Sequence, residues 1–103
     1  MVVELEENEF EQKTKTGKAI IDFYADWCGP CQMIKPVFEK ISKDFKNVNF
    51  FKVNVDSNQK AAGKFEVRSI PTLVFLKDGQ EVDRQIGVVY EEDLRDRIKE
   101  VFK

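Results

Sequence analysis

Trp27-Cys28-Gly29-Pro30-Cys31 joins two segments of different periodicity. Before it, Ala19 to Ala25 is a near-continuous apolar run, the pattern of a strand covered on both faces. After it, Ile34, Val37, Phe38, Ile41 and Phe45 recur on one face of a helix running from Cys31 to about Phe45. Cysteines three apart on a helix have Cα atoms about 5 Å apart, from the rise per residue and the helix radius. A disulfide tolerates roughly 4.4–6.8 Å, so the pair can open and close with little backbone movement. Cys28 falls at or just before the first turn, where free N–H groups and the helix dipole favour its thiolate. Pro30 fits the first turn, where its missing N–H costs nothing, and it stiffens the loop between the sulfurs.

Outward from this motif the chain alternates. Val2 to Leu5 reads as a short strand, and Asn8 with Glu11 fits a capping box for a helix that Gly17 would close. Phe50 to Val55 is a further strand, and Ser57 or Asn58 starts a short helix towards Phe65. Thr72 to Leu76, Asp78-Gly79 and Glu81 to Ile86 read as a hairpin, because Asp-Gly suits a primed turn. Glu91, Glu92 and Asp93 open a last amphipathic helix carrying Leu94, Ile98, Val101 and Phe102. The order is β-α-β-α-β-α-β-β-α. It predicts an α/β fold with a central mixed five-stranded sheet flanked by four helices on both faces.

With 103 residues, one domain spanning 1–103 is expected, with a core that needs no disulfide staple. A formal net charge of −2 argues against a nucleic-acid surface. No stretch reaches the roughly 18 apolar residues of a membrane span. The N-terminus lacks a basic segment followed by a long apolar run, so the cytosol is the expected compartment. There, paired cysteines are redox-active or metal-binding more often than structural. A disulfide across so short a loop would constrain the unfolded chain little. Zinc usually takes four Cys or His ligands, whereas the chain has two cysteines and no histidine. No metal and no tightly bound cofactor is therefore expected.

Several other residues admit two readings. Asp22 interrupts the buried strand; it is either turned to solvent by alternation or retained for function, because burying a carboxylate is costly. Lys52 either pairs with Asp22 or is a solvated edge lysine. Trp27 is either core or a partly exposed wall beside Cys28. Gly87 and Val88 either complete an apolar contact surface or simply end a strand. Pro36 falls inside the helix, where it removes a backbone hydrogen bond and plays an architectural part.

Phe23 to Cys31 resembles the active-site signature of the thioredoxin family. Met33, Ile34 and Pro36 match the helix that follows, Ser69-Ile70-Pro71-Thr72 is similar to the family's cis-proline loop, and Asp78-Gly79 and Ile86-Gly87 match its glycines. The resemblance covers nearly the whole chain and implies a thioredoxin fold. It implies a buried Asp22 whose pKa is raised and which takes the proton of Cys31, with Lys52 tuning that acid. It implies a cis Pro71 that sets Ile70 beside the cysteines, where its backbone binds an extended peptide by strand addition. Tyr24 stands where many bacterial members have a second tryptophan, and Gln32 where they often have lysine. These departures bear on the pKa of Cys28 and on partner choice.

The activity so implied is protein-disulfide reduction. Cys28 attacks a target disulfide, and Cys31, expected to be the more buried sulfur, resolves the mixed disulfide. Protein disulfides and a separate thioredoxin reductase are the expected partners, and a monomer is expected. Two alternatives remain open at this level. One is a thiol oxidase or isomerase on the same fold, although Gly29-Pro30 matches thioredoxins where isomerases commonly carry Gly-His. The other is a non-catalytic peptide-binding assembly module.

Overall fold

The computed structural model describes residues 1–103. Five strands form one sheet: β1 (Val2–Glu4), β2 (Lys18–Tyr24), β3 (Val48–Asn54), β4 (Thr72–Lys77) and β5 (Gln80–Ile86). Four helices connect or follow them: α1 (Glu7–Thr14), α2 (Gly29–Ser42), α3 (Gln59–Lys64) and α4 (Glu91–Val101). The strand order is β1-β3-β2-β4-β5. Strands β1 and β2 pair parallel to β3, whereas β2–β4 and β4–β5 are antiparallel. The mixed sheet expected from the sequence is the one observed.

Strand β2 is central and buried throughout its interior. Its alternation sends Ile20 to one face, where α2 and α4 pack Ile34, Phe38, Ile41, Leu94 and Ile98 against Phe50, Leu73 and Phe75. Ala19, Ile21 and Phe23 point to the other face, against Phe10 of α1 and Ala61 of α3. Removing each large apolar side chain from water contributes about 1.5–3 kcal/mol, which is why the apolar run reads continuously through both faces.

Two local expectations are corrected. The capping box of α1 lies at Glu6 and Glu9, not at Asn8 and Glu11: the Glu9 carboxylate accepts the Glu6 N–H at 3.0 Å. The Glu7 N–H is satisfied from afar by Asn58 Oδ1 at 2.8 Å. Gly17 does not cap α1, whose C-cap is Lys15. Instead Gly17 donates its N–H to Asp78 Oδ1 at 2.8 Å, and its carbonyl accepts the Asp78 N–H at 2.9 Å, tying the hairpin tip to the start of β2. At that tip Asp78 and Gly79 have φ of 50° and 83°, the primed-turn conformation that Asp-Gly favours.

Candidate active site

The reacting pair hangs from the C-terminal end of β2. After Tyr24 the chain turns, with the Cys28 N–H donating to the Ala25 carbonyl at 3.2 Å. Cys28 is the N-cap of α2, in an extended conformation (φ −86°, ψ 112°), and Pro30 lies in the first turn. The Cys31 N–H donates to Cys28 Sγ at 3.2 Å, so the sulfur does what a capping oxygen ordinarily does. Cys28 and Cys31 are joined as a disulfide with Cα atoms 5.3 Å apart. Their burial corrects one expectation. Both are covered, at 4% and 3% exposure, so in the closed pair Cys31 is not distinctly the deeper residue.

On one side of the pair lies an apolar depression of about 190 Å³ lined by Trp27, Val55, Val67, Arg68, Ser69 and Ile70. Trp27 is 72% exposed, which makes it a wall of the site and not core. Its Nε1–H donates to Asp56 Oδ2 at 2.8 Å, fixing the ring. The Ile70–Pro71 bond is cis. The Ile70 carbonyl oxygen lies 3.8 Å from Cys28 Sγ. Pro71 in turn accepts the Gly87 N–H at 2.8 Å. Gly87 has φ of 86°, a conformation strained for other residues, although a Cβ there would meet nothing within 4 Å. Ile86 and Val88 beside it are exposed.

On the other side, Cys31 borders a polar cleft of about 390 Å³ between α2 and the sheet, which also holds Asp22, Tyr24, Asp26, Lys35 and Lys52. Asp22 shares its face of β2 with Ile20 and is 4% exposed, so alternation does not carry it to solvent. Its Oδ1 is buried without a hydrogen-bond partner. Burial pushes its pKa up from 3.8 to about 7, against a smaller opposing pull from the charge of Lys52.

Lys52 faces Asp22 in register across β2 and β3, but the two form no ion pair. Of the two readings open for Lys52, pairing with Asp22 is not the one observed. Lys52 Nζ lies instead 4.0 Å from Glu4 Oε1 and 5.8 Å from the centroid of the Tyr24 ring. The Tyr24 hydroxyl donates to Glu4 Oε2 at 2.5 Å, and its pKa is raised, first by burial and then by that bond. Gln32 Nε2 donates to the Asp26 carbonyl at 3.4 Å.

Sequence reasoning singled out Cys28, Gly29, Pro30, Cys31, Asp22, Trp27, Ile70, Pro71, Gly87 and Val88, which the structure gathers around one end of the sheet. It missed Asp56 and Glu4, which lie 29 and 20 residues from the aromatic groups they bond. No local pattern marks either contact.

A helix-capping disulfide set between an apolar depression and a cleft holding a buried acid defines a dithiol protein-disulfide oxidoreductase. The thioredoxin family profile matches residues 1–100. A thioredoxin of Staphylococcus aureus is 43% identical over 94 residues, covering 90% of this chain and 90% of its own. A thioredoxin of Mycoplasmoides gallisepticum is 40% identical over 92 residues, covering 88% of this chain and 92% of its own. The chain belongs to the thioredoxin family, and its activity is the reduction of protein disulfides.

Proposed function

We propose that residues 1–103 act as one domain in which Cys28 is the nucleophile, Cys31 the resolving thiol and Asp22 the proton acceptor. In the reduced protein, the Cys31 N–H and the end of α2 that cap Cys28 Sγ stabilise its thiolate. The thiolate attacks one sulfur of a target disulfide; the target S–S bond breaks, a Cys28–target disulfide forms and one target thiolate leaves. Cys31 then loses its proton to Asp22 across the polar cleft and attacks the Cys28 sulfur. The second target thiolate leaves, and Cys28–Cys31 closes. Two electrons pass to the target, and protons from the medium complete its thiols. Attack by Cys31 is intramolecular, so proximity favours release.

The observation that carries this reading is the approach of the Ile70 carbonyl to Cys28 Sγ at 3.8 Å, on the side away from Asp22. A target peptide can pair with the Ile70 backbone and lie over Trp27, Gly87 and Val88 while the proton chemistry proceeds behind the sulfurs. Gly29 and Pro30 hold the two sulfurs at bonding distance. Lys52 tunes the acid from the neighbouring strand. No step of this cycle draws on a cofactor or a metal. Reduction of the closed pair falls to a separate thioredoxin reductase, and the chain works as a cytosolic monomer without nucleic-acid or membrane partners. No helix is long and apolar enough to cross a membrane.

The test is the reduction potential of the Cys28–Cys31 couple, by equilibration against a dithiol buffer. Trp27, the only tryptophan, adjoins the pair and reports its state by fluorescence. A value near −270 mV, roughly the reference figure for thioredoxins, is expected. A value of about −180 to −120 mV would assign the chain to thiol oxidation or isomerisation instead. If a variant with both cysteines changed to serine kept its cellular role, a peptide-binding assembly module would be the better description.

A further inference from the structure

Glu4, Lys52 and Asp22 occupy one row across the sheet. Glu4 is the register partner of Lys52 on one side, and Asp22 is its partner on the other. Adjacent strands lie about 4.8 Å apart, so the stem of Lys52 starts equally near to two carboxylates, and one ammonium is available to both. In the structure it goes to Glu4, at 4.0 Å, and leaves Asp22 Oδ1 buried with no partner.

Tyr24 explains the asymmetry. It lies two residues beyond Asp22 on β2 and hence on the same face. Its hydroxyl donates to Glu4 Oε2, leaving Oε1 turned to the lysine. Its ring lies 5.8 Å from the ammonium, within the range of about 6 Å over which a ring face attracts a cation. The β1 side of the cleft therefore offers Lys52 a carboxylate and a π face together. We propose that Glu4 and Tyr24 are positioning residues that hold the Lys52 ammonium away from Asp22 and so set how readily Asp22 takes a proton.

The remaining groups facing Asp22 are consistent with Lys52 as the decisive charge. From α2 come Cys31 and Lys35, from the turn after β2 comes Asp26, and from the chain after β1 comes Glu6. On the β4 side its register partner is the apolar Leu73. Burial raises the proton affinity of Asp22, and the charge of Lys52 is the one cause that opposes it. Moving that charge closer would favour the carboxylate. The catalytic consequence rests on Asp22 being the proton acceptor proposed above; the arrangement of the charges does not.

The test is the carbon-13 NMR titration of the Asp22 carboxyl in the oxidised full chain. Glu4→Gln frees Lys52 to approach Asp22 and is expected to lower the midpoint by about one pH unit. Tyr24→Phe is expected to lower it by less. Lys52→Met is expected to raise it, and Glu4→Gln added to Lys52→Met is expected to leave it where Lys52→Met alone does. An unchanged midpoint in Glu4→Gln would overturn the proposal. So would an equal fall with and without Lys52, because Glu4 would then act through its own charge alone. The pH profile of mixed-disulfide resolution, measured on the same variants, is a separate readout. If the NMR midpoints move as expected and the rate profile does not follow, the positioning holds and Asp22 is not the proton acceptor.

Discussion

Replacing Asp22 by asparagine should make the protein more stable, by an amount that depends on pH in a defined way. The carboxyl has an ordinary pKa of 3.8 in the unfolded chain and one of about 7 when folded, because burial penalises its charged form. Below pH 3.8 it is protonated in both states and contributes no pH dependence. Between the two values the folded protein keeps the proton that the unfolded chain has released. The unfolded state then binds fewer protons, so stability falls as pH rises. Above about 7 both states are ionised, and the loss has reached its full size. Roughly 3 pH units at about 1.36 kcal/mol each come to about 4 kcal/mol, a large part of the 5–15 kcal/mol or so that holds such a domain together. The assay is urea denaturation of the oxidised wild type and of Asp22→Asn from pH 4 to 9. Subtracting one from the other removes the contribution of every other titrating group. The difference should grow by up to about 1.4 kcal/mol per pH unit and level off above neutrality. A difference of any size that stays constant with pH would refute the reasoning, since an asparagine that merely packs differently gives an offset and no slope.

Other expectations follow from the same geometry. Cys31→Ser should accumulate a mixed disulfide between Cys28 and a disulfide-bearing protein, visible by mass spectrometry, while Cys28→Ser should form none; trapping through Cys31 would reverse the assigned roles. Tyr90 is the N-cap of α4, extended in backbone but without a side-chain capping bond, and 81% exposed. Tyr90→Ser should therefore raise stability by about 1 kcal/mol in urea denaturation, and a loss would show that the ring makes contacts that outweigh a cap. Phe38 is 1% exposed and packs edge-on against Phe50, with ring centroids 5.1 Å apart. Phe38→Ala should cost about 3–5 kcal/mol in the same assay, and a cost under about 1 kcal/mol would mean that the face between α2 and the sheet collapses to fill the space.

What could be read in the sequence was what neighbouring residues decide among themselves. The apolar run of β2, the capping position of Cys28, the Asp78-Gly79 turn and the apolar stripe of α4 each express local backbone or burial chemistry, and each is found where expected. The misplaced start of α1 has a different origin. Asn8 and Glu11 form a plausible box, but the Glu7 N–H is met by Asn58 from across the fold, which lets the helix begin earlier. The sequence leaves Lys52 open between two readings for the same reason. Its place on the strand beside Asp22 was legible, but the Glu4 carboxylate it lies nearer to, and the Tyr24 hydroxyl bonded to that carboxylate, are connected by no spacing rule. Asp22 is the instructive intermediate. Its position in a buried strand was legible, but alternation alone left its direction open until the packing of α2 over the sheet fixed it.

The reacting sulfurs are attached to β2, the strand with a hydrogen-bonded neighbour on each side and helices over both faces. Protein structures open piecemeal, and the segments that open last are those with the most buried contacts and paired amides. The short outer strand β1 and the partly exposed β5 are placed to fray first. Amide protons of Ile20 to Phe23 should then exchange with deuterated water only when the whole domain unfolds. The dithiol therefore rides on the slowest-exchanging part of the molecule, and its rim can yield to differently shaped targets without disturbing the spacing of the two sulfurs.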